Sequence, residues 1–95
     1  MTLEEVKLFL RVDSSDEDTL ITNLINTAPS FVEDILRFPL SDFEENIPDV
    51  VNQAILIVIA TLFESRQIGG TTEIKMNDLQ FAVRNMLEPY RKKVW

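Results

Sequence analysis

Seven consecutive apolar residues, Ala54-Ile55-Leu56-Ile57-Val58-Ile59-Ala60, limit the folds open to this chain more than any other feature. Such a run has no periodicity that separates a strand from a helix, so length and flanks must decide. Pro48 suits the first turn of a helix, where its missing N–H costs nothing. Asn46 before it is a candidate cap, and Asp49 puts negative charge at the positive end of the helix dipole. At the other end stand Arg66 and then Gly69-Gly70, which stop a helix. These signals predict one helix of about five turns over 48–67. Its apolar run falls short of the ~20 residues that cross a bilayer. A helix that is apolar nearly all round is buried. The expected fold is therefore all-α: a small soluble bundle of about four helices around a central helix at 48–67.

Ninety-five residues make one domain with a thin core, which oligomerisation commonly supplements. Two glycines and 45% hydrophobic residues argue against disorder. Thr2-Leu3-Glu4-Glu5 is acidic and the apolar run is internal, so no export signal is expected. The chain has neither histidine nor cysteine. That excludes zinc sites and Ser-His or Cys-His nucleophile pairs, leaving only carboxylate chemistry. The acids available for it, Asp13, Asp16, Glu17, Asp42, Glu44 and Glu45, fall at helix starts and in a loop. No phosphate-cradling glycine loop accompanies them. A calcium loop starting at Asp13 fails on spacing, because Asp18 stands where glycine is needed and Leu24 where glutamate is needed. We expect no enzyme, no metal and no cofactor.

The chain opens on a capping box, Thr2 with Glu5, and Leu3, Val6, Phe9 and Leu10 mark one face of a short helix to about Arg11. Ser14 with Glu17 reads as a second capping box. The next helix carries Leu20, Ile21, Leu24, Ile25, Ala28, Phe31, Val32, Ile35 and Leu36 in one helical phase. Pro29 sits inside it at a cost of ~3 kcal/mol. The unbroken phase favours one kinked helix over a break at Asn26-Thr27. Phe38-Pro39 ends it. A polar connection over 39–47 follows, anchored by Leu40, Phe43 and Ile47. Residues 68–76 read as a short loop or one arm of a hairpin. Asn77 is a candidate cap for a last helix carrying Leu79, Ala82, Val83, Met86 and Leu87, closed by Glu88-Pro89.

Two features are left over. On a helical wheel, Leu56, Ala60 and Phe63 lie on or beside the side of the central helix that carries Asp49, Gln53, Glu64 and Gln67. An apolar strip there needs a cover, either from the chain itself or from another subunit. The tail Tyr90-Arg91-Lys92-Lys93-Val94-Trp95 joins large aromatic surface to basic groups. It either folds back or docks on a partner.

Taken in order, these features resemble the head–tail connector, or head-completion adaptor, proteins of long-tailed bacteriophages and prophages, some of which are labelled DNA packaging proteins. In that family the central helix commonly ends in an aromatic-Glu-Asn-Arg motif, and the chain closes on Leu-x-Pro-Tyr-Arg. Here Phe63-Glu64-Ser65-Arg66 matches with serine in place of asparagine, and Leu87-Glu88-Pro89-Tyr90-Arg91 matches in full. The resemblance covers nearly the whole chain. It implies one helical connector domain, 1–95, with 88–95 as a docking tail, made in the bacterial host cytoplasm and built into the virion at the head–tail junction. It also implies a structural ring of identical subunits under the portal protein, extending the DNA channel and meeting the next head–tail joining protein. Portal docking would fall to Tyr90, Arg91, Lys92, Lys93 and Trp95. Leu56, Ala60, Phe63, Glu64 and Arg66 would belong to the contact between subunits. DNA would pass without specific binding, since an acidic wall repels phosphates. Residues 1–49 carry twelve acids and three bases (−9); residues 50–95 carry four acids and six bases (+2). A ring contact needs two different complementary patches, which these halves supply. The alternative without the resemblance is a stand-alone acidic helical interaction module, a dimeric regulator or antitoxin-like protein.

Overall fold

The computed structural model describes residues 2–44, 46–68 and 72–91, with backbone alone at 65–68 and 72–76. Four α-helices make up the body: α1 (Leu3–Leu10), α2 (Asp18–Leu36), α3 (Asp49–Ile68) and α4 (Thr72–Leu87). Short 3₁₀ turns follow α2 at Leu40–Phe43 and α4 at Glu88–Tyr90. Among the described residues there is no strand. The fold is the small all-α bundle that the sequence predicts.

The first helix starts as its capping box requires. Thr2 Oγ1 accepts the Glu5 N–H at 3.2 Å, and Glu5 Oε1 accepts the Thr2 N–H at 3.2 Å. The helix closes on Arg11 in the left-handed conformation, φ 60°. Val6 is its one buried residue. Phe9, expected on the inner face, is 46% exposed. The second predicted box does not form: Ser14–Glu17 are turn, and α2 starts at Asp18 with no side-chain cap. The acid at the helix start takes a different partner, as Lys7 Nζ lies 2.8 Å from Asp18 Oδ1. This ion pair docks α1 on α2 and leaves the helix start without a side-chain cap.

α2 runs continuously through Pro29. Ile21, Leu24, Ala28, Val32 and Leu36 form its buried stripe, and packing outweighs the lost backbone bond. Thr27 Oγ1 donates to the Asn23 carbonyl at 3.0 Å, a bond to the preceding turn that helical threonines make. Leu40, Phe43 and Ile47 are half-buried against the core, as the anchors of the connection. In α3, Pro48 lies one residue outside the helix, and its carbonyl accepts the Asn52 N–H at 3.2 Å. Asn46 makes no cap; its N–H donates to the Phe43 carbonyl instead, at 3.1 Å.

The largest departure concerns 68–76, expected as a loop or hairpin arm. Ile68 is the last residue of α3 and Thr72 the first of α4, five residues ahead of the expected start at Asn77. Thr72 and Ile74 are only mildly unfavourable in a helix, a preference too weak to set the boundary. Residues 69–71 lie outside the described set. α3 packs against α2 on one side and α4 on the other, α2 also meets α4, and α1 closes over α2 and α3. One apolar core results, centred on Val51, Ala54, Ile55, Val58, Ile59 and Phe63 of α3.

Candidate functional site

Proline cannot continue a helix, so α4 gives way to the Glu88–Tyr90 turn at Pro89. This turn carries the end of the chain back to the C-terminal end of α2. The last carbonyls of a helix have no partner within it. Arg91 supplies one: its Nε donates to the Ile35 carbonyl at 3.0 Å. Its Nη1 also reaches Glu88 Oε2 at 3.2 Å. A guanidinium is favoured there because the helix dipole ends negative. Tyr90 lies edge-on to Phe43, ring centres 6.3 Å apart, and Phe43 lies edge-on to Phe38 at 5.2 Å. Glu33 Oε2 accepts the Leu40 N–H at 2.6 Å and holds the turn that presents Phe43. The Leu87-Glu88-Pro89-Tyr90-Arg91 segment thus forms a clasp. Leu87 is core, Pro89 turns the chain, Tyr90 packs on an aromatic pair and Arg91 caps α2.

Two of the proposed docking residues, Tyr90 and Arg91, are therefore half-buried against the body. Lys92, Lys93 and Trp95 lie outside the described residues. On α3, Phe63 is part of the core at 5% exposure, Leu56 and Ala60 are half-buried, and Glu64 is exposed. The Arg66 side chain lies outside the described set. So the chain itself covers Phe63 fully and the rest of this strip in part.

The most exposed large apolar side chains lie elsewhere. They are Leu8, 81% exposed, and Phe81, 69% exposed. Phe81 borders an open groove of about 370 Å³ between α4 and the end of α2, shared with Ile35, Asp34, Arg37 and Arg84. The clasp residue Arg91 also reaches its edge. Leu8 borders a second open depression with Glu4, Lys7, Arg11 and Asp13. The sequence reading passed over Leu8 and placed Phe81 only beside the face of the last helix. Leu8 is apolar at a position off the buried face of α1, and Phe81 stands beside, not on, the stripe of α4. That mismatch between residue type and helical phase is the signal that finds them.

Among the described residues no group of three or more acids converges as a metal site. None of the described helices is long and apolar enough to cross a membrane. The arrangement offers two exposed apolar side chains beside open depressions, one of them a basic groove.

Comparison with known families gives a match over nearly the whole chain. The model of a family described as phage gp6-like head-tail connector protein matches residues 1–94. No curated protein and no solved structure matches the chain.

Proposed function

We propose that this chain, which belongs to the phage gp6-like head-tail connector family, is the repeating subunit of a ring between the phage head and tail. A family match over residues 1–94 carries this reading, because it takes in every element of the fold. The physical properties of the subunit support it. A thin core leaves large apolar side chains in water at two separate places, as assembling subunits require. The role is structural: the subunit offers surfaces to its neighbours and turns over no substrate.

The ring sits under the portal protein, continues the DNA channel and presents a surface to the next joining protein. A net charge of −7 keeps passing DNA from sticking, because like charges repel at the wall. The tail beyond the clasp, with Lys92, Lys93 and Trp95, docks on the portal, and Tyr90 and Arg91 root it on the body. The edge of α3 carrying Leu56, Ala60 and Glu64, with Arg66, lies at or beside the joint between subunits.

Mixing the chain with portal rings and measuring mass and shape by native mass spectrometry and electron microscopy tests this. The expected product is a discrete ring seated on the portal. A chain that stays monomeric or dimeric and ignores the portal overturns it.

A further inference from the structure

Leu8 and Phe81 stand at opposite ends of α2. The Lys7–Asp18 ion pair holds α1 at the start of that helix. The groove beside Phe81 includes Asp34, Ile35 and Arg37 at its finish. Asp18 and Asp34 are separated by roughly 24 Å of helix.

The two surroundings also differ in charge. On α1, Glu4 lies one turn before Leu8 and Glu5 one turn before Phe9, and all four are exposed. The one lysine of this helix, Lys7, also borders the depression beside Leu8, but its charge is neutralised by Asp18. The outer face of α1 is therefore acidic and apolar. Around Phe81, Arg37 and Arg84 are both exposed, and neither has an ion-pair partner among the described residues. The groove is therefore basic and apolar. Each face holds one charge of the other sign, Arg11 at the end of α1 and Asp34 at the groove, and these too are opposite.

We infer that the acidic-apolar face of α1 in one copy docks into the Arg37–Arg84–Phe81 groove of the next. This adds a contact to the joint of the ring, besides the α3 edge proposed above, and rests on the ring reading. Leu8 covers Phe81 and Ile35, while Glu4 and Glu5 face Arg37 and Arg84. The apolar contact supplies most of the affinity, and the charges set register and rate. The contact is heterologous: every copy offers a face at one end and a groove at the other, so copies join head to tail until rotation closes them.

The chain has no cysteine, which makes a covalent test clean. Both positions are exposed, so L8C and F81C leave the core intact. The double variant L8C/F81C, assembled on portal and oxidised, is expected to give a ladder of covalent oligomers. Each single variant alone should stay uncoupled, and an equimolar mixture of the two should stop at the dimer. Rings that form normally while the double variant stays uncoupled overturn this joint and leave the ring reading standing. Coupling of L8C with itself overturns it in favour of a two-fold contact. Failure to assemble under any condition overturns both. Arg84→Glu should lower assembly about tenfold, and adding Glu4→Arg should recover part of the loss; no recovery argues against the facing of these two residues.

Discussion

α2 and α3 are nearly equal in length, 19 and 20 residues, yet they meet solvent in opposite ways. α2 is one-sided. Its buried stripe is backed by Thr19, Thr22, Asn23, Asn26, Thr27, Ser30 and Asp34, all exposed on the other side. α3 has almost no outer face: from Val51 to Phe63 only Gln53 is exposed. The difference follows from their neighbours. Each packs on the other three helices, but α2 meets them along one stripe and leaves its other side to water, whereas α3 lies between α2 and α4. A periodic stripe therefore reports how many sides of a helix are covered: one in α2, nearly all in α3.

The sharpest test of this contrast is a matched pair of isoleucines, both fully buried. Ile59→Ala in α3 should cost about 2–5 kcal/mol, and Ile21→Ala in α2 less, because a one-sided helix can shift to fill the space. Chemical denaturation measures both, and an equal or larger loss at Ile21 breaks the contrast. Next in size, Pro29→Ala should stabilise by about 1–2 kcal/mol, since alanine restores a donor for the Ile25 carbonyl. A lower melting temperature would mean that the proline ring contributes more by packing than its missing bond costs. Arg91→Ala should then cost about 1.5 kcal/mol by leaving the Ile35 carbonyl without its charged donor. Hydrogen exchange should show that loss concentrated in the last turn of α2. The smallest effect, about 1 kcal/mol, is expected for Thr2→Ala, which removes a cap from α1 and touches neither long helix.

The same contrast explains what the sequence disclosed. α2 was legible because its stripe is regular enough to be followed across Pro29. α3 was legible as a helix and as core, but not by face. A wheel drawn on one helix cannot know that other helices cover it, so Phe63 read as outward and is core. The start of α4 was misplaced because local preference over Thr72–Met76 is too weak to place a helix boundary. Ser14 and Glu17 have the spacing of a capping box, but the helix starts at Asp18 without a side-chain cap. Among the described residues, Arg11, Arg37 and Glu44 take positive φ without being glycine, so no glycine announced the ends of α1, α2 or the turn after Phe43. The clasp was legible as a motif and not as a mechanism. Arg91 and Ile35 are 56 positions apart, and nothing local predicts their bond. Leu8 and Phe81 were visible as apolar residues out of phase, which a search for core positions discards.

The polar side of α2 has a consequence for how the molecule comes into being. Thr, Asn and Ser are poor helix formers, and the segment adds three isoleucines, a valine and a central proline. A 19-residue peptide of this composition lacks the intrinsic propensity to hold a helix in water. On the ribosome it emerges before α3, with only the eight-residue α1 to lie against. The partner that buries most of its stripe, the Ala54–Ala60 run, is released only later. The longest amphipathic stripe in the protein is thus a product of folding, not its seed.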